Sequence, residues 1–345
     1  IKLTKTHKNG GNKIMKKAIA ILLVVCCAFS VFANGAKEAS ASDTITLKFC
    51  EQLPDGHVMA ENLKYFAEQV ERLSEGKIKV EVYTGGVLGD DVQMMEATKL
   101  GTIDVIRVEY TTMVNQGAKH VVATTLPYVF RDREHYWAFA ASDVGQELLD
   151  SLETDGTGMV GLCYVEEGAR HFFARTPLNS VSDMKGKKIR VQDTEMWVAI
   201  VKALGASATP MSFSELYTAL NTGVVDGAEQ PLAGYVSNKL YEVGPYMILD
   251  GHVYPTQAYV ISEKTWSKLN DTQKNVLREA AKLTEIAAKE SIEQVEIDLM
   301  KELKDLGVTV VQPTDIAAWQ KAMEQVYATM ADADTQAILK RIQAL

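Results

Sequence analysis

The sequence predicts an α/β protein of two domains, each a mainly parallel sheet flanked by helices, and three observations carry that prediction. The chain of 345 residues, even without its first 33, is longer than one hydrophobic core usually serves. From Ile45 to Glu109 the pattern runs strand, helix, strand, helix, strand, the mark of a mainly parallel sheet covered by helices. A second such unit begins at Met159.

Ile45, Leu47 and Phe49 alternate as a strand does, whereas Met59, Leu63, Phe66, Val70 and Leu73 recur at helical spacing. Ile78, Val80 and Val82 alternate again, and Gly85, Gly86 and Gly89 break the run. Asp90 can then cap a helix through Met94, Met95 and Leu100. Ile103 to Val108 reads as a third strand with Glu109 at its carboxyl end. In the second unit, Met159 to Tyr164, Ile189 to Val191 and the short Val225-Asp226 read as strands, with helices over Glu195 to Leu204 and Ser214 to Leu220. Ligands of open α/β sheets sit beyond the carboxyl ends of strands, where Glu109, Arg190 and Glu229 fall. Two sheets facing each other would make a cleft.

Asp271 to Leu306 is a long helical stretch without proline or glycine, capped by Asn270 or Asp271 and stopped by Gly307. Its apolar positions Val276, Ala280, Leu283, Ala287, Val295, Leu299, Leu303 and Leu306 keep mostly to one face. At 1.5 Å per residue it would run about 50 Å, enough to bridge both domains. The alternative is two helices broken near Ser291.

At the amino end, Met15 opens a secretory pattern: Lys16-Lys17, an apolar run from Ala18 to Phe32, and a small-residue site at Val31-Phe-Ala33. The apolar core is shorter than the roughly 20 residues a spanning helix needs. Residues 1–33 are therefore expected to be a leader and signal peptide, absent from the mature protein. Cys26 and Cys27 raise a lipid-anchored alternative, but Leu23-Val24-Val25 lacks the small residues expected before a lipid-bearing cysteine.

Six lysines and no acids lie in that segment, so the formal charge of −9 becomes −15 without it. Such an acidic surface argues against nucleic acid or an anionic membrane as partner. Of four cysteines only Cys50 and Cys163 remain, neither in a CxxC. Free buried thiols are the default, and a bridge would need their Cα atoms within roughly 7 Å.

Enzymatic motifs are mostly excluded. Gly156-Thr-Gly-Met-Val-Gly161 fits G-x-G-x-x-G, but a helical stretch precedes it and a strand follows, the reverse of the dinucleotide fingerprint. Gly85-Gly86 lacks the Gly-Lys-Ser/Thr of a phosphate cradle. Histidines 57, 120, 135, 171 and 252 show no metal-ligand spacing. Glu166 and Glu167 are neighbours on a strand and point to opposite faces, so they do not make an acid/base pair. No metal and no cofactor is expected.

Asp183 to Val191 carries the strongest positive signal. Lys187 to Val191 alternates as a half-buried strand after a tight turn at Gly186, which places Arg190 near a strand end. A guanidinium there can offer two parallel N–H donors to a carboxylate, a geometry lysine cannot reproduce. Around it stand Gly86-Val-Leu-Gly-Asp-Asp91, Leu126-Pro-Tyr-Val-Phe130, Gly168-Ala-Arg170, Pro210-Met-Ser-Phe-Ser-Glu-Leu-Tyr217 and Val225-Asp-Gly-Ala-Glu-Gln-Pro231.

In these motifs and their order the chain, from Leu47 to about Tyr327, resembles the DctP-like solute-binding proteins of tripartite ATP-independent periplasmic (TRAP) transporters. The resemblance implies a two-domain periplasmic-binding-protein-like fold joined by hinge strands and a long interdomain helix. It places domain I at 44–166 plus about 255–294, and domain II at 167–254 plus about 295–345. It implies a monomeric periplasmic receptor that closes on an organic acid and delivers it to the small and large permease subunits. On that basis Arg190 pairs with the ligand carboxylate and Arg170 is a second cation at the pocket. Phe213 matches a position where an aromatic packs on the ligand, or is a core residue. Gln52, Asp91 and Glu109 match first-domain positions that contact polar parts of the ligand, with Asp91 alternatively a helix cap. Gln230 stands where the family often has asparagine, one methylene shorter. Sugar acids such as uronates are the favoured ligands; a C4-dicarboxylate is the alternative, and a secreted sugar-acid hydrolase or lyase a distant third.

Overall fold

The computed structural model describes residues 44–345; the expected leader and signal peptide lies outside the described residues. Two sheets organise it. The first contains β1 (Ile45–Cys50), β2 (Ile78–Tyr83), β3 (Val105–Glu109), β4 (Met159–Val165) and β10 (Gln257–Ser262) in the order β2-β1-β3-β10-β4. The second contains β5 (Arg170–Ala174), β6 (Lys188–Val191), β7 (Ser207–Pro210), β8 (Gly227–Pro231), β9 (Tyr246–Val253) and β11 (Thr309–Val311) in the order β11-β9-β5-β8-β6-β7.

The helical crossovers read from the sequence join parallel neighbours: β1 lies parallel to β2 and β3, and β6 to β7 and β8. The sheets as a whole are mixed. The chain passes from the first sheet to the second between Val165 and Arg170 and returns between Val253 and Gln257. The returning β10 inserts antiparallel to both β3 and β4, and β5 runs antiparallel to both β8 and β9. Alternation could not mark β10, because all six of its residues are buried. Val225-Asp226, expected as a strand, lies just before β8. Gly227 pairs with Ile189, and a Cβ at Gly227 would collide with the carbonyl of Phe173. Glu229 therefore sits in mid-strand rather than beyond a strand end.

The first sheet is covered by the helix Val58–Leu73, whose Met59, Leu63, Phe66 and Val70 are fully buried. Phe49, Phe66 and Tyr259 meet edge to face with centroids 4.7 to 5.9 Å apart, an arrangement aromatic quadrupoles favour. The helix after β2 is capped by Asp90, which exchanges hydrogen bonds with Gln93 in a capping box.

The long helix is unbroken from Asp271 to Asp305, 35 residues or about 52 Å. Asn270 caps it, and Gly307 ends it in a left-handed conformation at φ 74°. Of its expected stripe Ala280 and Leu303 are buried, but Val276, Leu283, Ala287, Val295 and Leu299 are half-buried and Leu306 is exposed. In the first half the buried stripe runs one residue later, through Leu277, Ala281, Thr284 and Ala288 to Ile292. Leu277, Ala280 and Ala281 join the core of the first sheet and Leu303 joins a core of the second. One helix thus serves both.

Cys50 and Cys163 are free and buried. They lie on β1 and β4, with β3 and β10 between them, so three inter-strand spacings of about 4.8 Å separate them, beyond the reach of a disulfide. Gly156 to Gly161 forms the turn from a helix into β4. Gly161 is there for packing, because a Cβ would sit 2.5 Å from Leu149 Cδ1.

Candidate functional site

The carboxyl ends of β1 and β3 face those of β6 and β8 across a cavity of ≈ 360 Å³, within the range of small-molecule sites. All seven residues singled out from the sequence line it: Gln52, Asp91, Glu109, Arg170, Arg190, Phe213 and Gln230.

Arg190 is placed by alternation. Ile189 and Val191 enter the core, so the side chain between them points the other way. It is 2 % exposed. Its Nε and Nη2 both donate to the carbonyl oxygen of Met211, at 3.1 and 2.8 Å, and its guanidinium lies 5.7 Å from the Phe213 ring centre. Nη1 is buried and has no partner. No carboxylate pairs with Arg190 among the described residues. Burial pushes its pKa down to about 10, with Glu229 opposing and Arg170 adding to the shift. Met211 occupies the edge formed by Nε and one Nη2 hydrogen. The edge formed by Nη1 and the second Nη2 hydrogen is the one left for a carboxylate.

Arg170 is a different kind of arginine. Its Nε and Nη2 donate to the two carboxylate oxygens of Glu229, the second bond measuring 2.9 Å, while Nη1 donates to Glu109 at 3.3 Å and lies 3.8 Å from Glu167. The pairing with Glu229 follows from register, since Phe172 stands opposite Glu229 and Arg170 is its diagonal neighbour. Its guanidinium also stacks over Trp197 at 5.1 Å. Burial works against its charge, yet Glu229, Glu109 and Glu167 outweigh it and hold the group above arginine's ordinary pKa.

A third arginine, Arg107, was missed in the sequence. Phe49 and Cys50 stand beside Val105 and Ile106, and one step further the same register brings Glu51 beside Arg107. Nε and Nη2 donate to the two Glu51 oxygens at 2.6 and 2.8 Å. Burial opposes both charges, but their attraction prevails, so Glu51 stays below and Arg107 above the ordinary pKa. The signal was present: a charged residue inside Ile103-Asp-Val-Ile-Arg-Val108 must find a partner once buried.

Glu109 accepts from Thr111 at 2.7 Å and from Gln192 Nε2 at 3.0 Å, besides Arg170. The Gln192 and Arg170 bonds, with Asn115 Nδ2 donating to the Asp193 carbonyl at 3.0 Å, cross the cavity from one sheet's side to the other. Gln192, two residues beyond Arg190, was also missed. Asp91 is not the helix cap, which is Asp90. Its Oδ2 accepts from Gln52 at 3.2 Å, and its buried Oδ1 accepts from nothing. Burial pushes its pKa up to about 7; Arg107 opposes this, and Glu51, Glu109 and Asp90 add to it. Gln230 is buried, and Gly234 in the next helix makes room for its longer side chain, since a Cβ there would lie 2.7 Å from Gln230 Oε1.

Glu166 and Glu167 do part company. Glu167 faces the cavity and accepts from Gln257 at 2.7 Å, while Glu166 turns away to Arg133 at 2.8 Å and the Trp137 indole at 2.7 Å. Arg133 also pairs with Glu296 on the long helix.

Known proteins resemble this chain in sequence and in fold. The chain is 34% identical over 308 residues to the sialic acid-binding periplasmic protein SiaP of Vibrio cholerae, covering 89% of this chain and 95% of that one. It is 30% identical over 313 residues to the C4-dicarboxylate-binding periplasmic protein DctP of Rhodobacter capsulatus, covering 88% and 92%. A TRAP periplasmic solute-binding protein from Bradyrhizobium, solved with α/β-D-galacturonate, superposes with a TM-score of 0.83 at 32% identity, over 87% of this chain and all of that one. The family model described as "bacterial extracellular solute-binding protein, family 7" matches residues 49–334, a span that holds both sheets except the first four residues of β1 and every cavity residue named above, and the chain belongs to that family, DctP.

Proposed function

We propose that this protein is the receptor of a TRAP transporter that captures an organic acid outside the cytoplasm, a sugar acid of the uronate type foremost, and delivers it to the small and large permease subunits. Arg190 carries the reading: a guanidinium buried at a cavity, with no carboxylate partner among the described residues and with one edge left open. A charge taken from water unpaired is costly, and a ligand carboxylate would relieve that cost. The galacturonate held by the similar Bradyrhizobium protein supports the ligand class.

In this reading Arg190 grips the carboxylate end-on and Phe213 packs against the ligand. Gln52, Asp91 and Gln230 contact its polar groups. Arg170 and Glu109, already joined, act as positioning residues. The lobes are 44–166 with about 255–294, and 167–254 with about 295–345, hinged where the chain crosses between sheets. The protein works as a periplasmic monomer, exported by its signal segment, without metal, cofactor or nucleic acid, and performs no turnover. The similarity to the Rhodobacter protein favours a C4-dicarboxylate as the second reading.

A thermal-shift screen against uronates, sialic acid and C4-dicarboxylates tests this, because a ligand at 100 times its dissociation constant adds about 2.7 kcal/mol of stability. Stabilisation by a uronate recovered unchanged after incubation is expected. Conversion of the acid to a product would refute the receptor reading, and stabilisation by C4-dicarboxylates alone would favour the second.

A further inference from the structure

Most of the charged groups around the cavity are engaged by protein partners. Arg107 donates Nε and Nη2 to Glu51, and Arg170 donates all three of its nitrogens to Glu229 and Glu109. Three fully buried side-chain atoms of lining residues have no partner among the described residues: Arg190 Nη1, Asp91 Oδ1 and Gln192 Oε1. The first is a donor on a cation. The other two are acceptors, one of them a carboxylate oxygen. The Gln192 amide cannot simply turn around, because its Nε2 donates to Glu109 Oε2 and a flip would set two acceptors against each other. Buried polar atoms need partners, so the bound molecule must complement this set.

We propose that the site selects a monocarboxylate whose far end carries hydroxyl donors, and discriminates against a second carboxylate. The inference rests on Arg190 as the carboxylate anchor. Arg190 takes the carboxylate, and Asp91 Oδ1 and Gln192 Oε1 each accept a hydroxyl hydrogen. A dicarboxylate of the same length brings a second anion against Asp91. Arg107, Glu51, Glu109 and Asp90 act most strongly on Asp91, and Arg190 couples to it as well. Of these two cations Arg107 is paired with Glu51, and Arg190 is taken by the first carboxylate of the ligand. Like charges facing each other in a partly dry site are a strong device of rejection.

The test is calorimetry at pH 8, where Asp91 is ionised, with D-galacturonate, D-gluconate and D-glucarate as probes. D-glucarate differs from D-gluconate in carrying a second carboxylate in place of the terminal hydroxymethyl group. We expect wild type to bind gluconate at least tenfold tighter than glucarate, and Asp91→Asn to narrow that ratio at least fivefold. Equal or tighter binding of glucarate, an unchanged ratio in Asp91→Asn, or failure of both hydroxylated monocarboxylates to bind would overturn the proposal. Arg190→Ala separates the two readings. If it binds all three probes as wild type does, the anchor has failed; if it loses them while wild type shows no preference, only the selectivity has.

Discussion

Replacing Arg190 with alanine is the most direct probe of the site, and the structure indicates what each part of the guanidinium contributes. Nε and Nη2 hold the Met211 carbonyl, so deletion frees a buried acceptor and should cost about 1 to 3 kcal/mol of folding stability. The Nη1 edge has no partner among the described residues, so its loss appears in ligand binding. Truncating one partner of a buried, hydrogen-bonded charge pair costs about 2 to 5 kcal/mol, which is roughly 30- to 5,000-fold in affinity. Arg190→Lys keeps the charge but not the planar fork, and should recover only part of both losses. Arg175→Ala, exposed and away from the cavity, is the control. Titration calorimetry on ligand-free protein, with urea unfolding alongside, separates binding from stability. If Arg190→Ala is folded and binds its acid within threefold of wild type, Arg190 is structural and the site assignment fails.

Three further outcomes follow from the same geometry. Asp91 has its pKa raised to about 7, so between about pH 4 and pH 7 the folded protein holds a proton the unfolded chain has released, and stability falls as pH rises through that window. The melting temperature of Asp91→Asn minus that of wild type should therefore grow from pH 4 to pH 7 and level off above; a flat difference would mean that burial does not shift this carboxyl. Arg170→Ala strands Glu229, Glu109 and Glu167 together, and should cost about 3 to 5 kcal/mol in urea unfolding; a loss under about 1 kcal/mol would show that the three carboxylates tolerate one another. Gly168 sits at φ 95° with Glu296 Oε1 where a Cβ would go. Gly168→Ala should lose about 1 to 2 kcal/mol from backbone strain alone, plus a steric part that Glu296→Ala removes in a double-mutant comparison, and complete rescue by that second change would argue against the strain.

Much of the molecule was legible in the chain itself. Period-two alternation marked β1 and β2, which show part of one face to water, and period-3.6 spacing marked their covering helix. β3, β4 and β6 are almost wholly buried; β3 and β4 were read from short apolar runs bounded by glycine or polar residues, and β6 from alternation after the turn at Gly186. The absence of glycine and proline from Asp271 to Asp305 pointed to one long helix, and the structure closed the alternative of a break near Ser291. The seven cavity residues were legible for a different reason, since they stand in ordered motifs whose likeness to a known family carried their placement. Tertiary structure decided the rest. β10 is buried on both faces between β3 and β4, and an unbroken apolar run has no period to read. Whether an arginine is engaged or free depends on what the register sets beside it. Arg107 and Arg190 look alike on their strands, yet Glu51 falls beside the first and only a backbone carbonyl beside the second. That difference arises from pairings between segments distant in sequence, and it separates a structural ion pair from a cation open to a ligand.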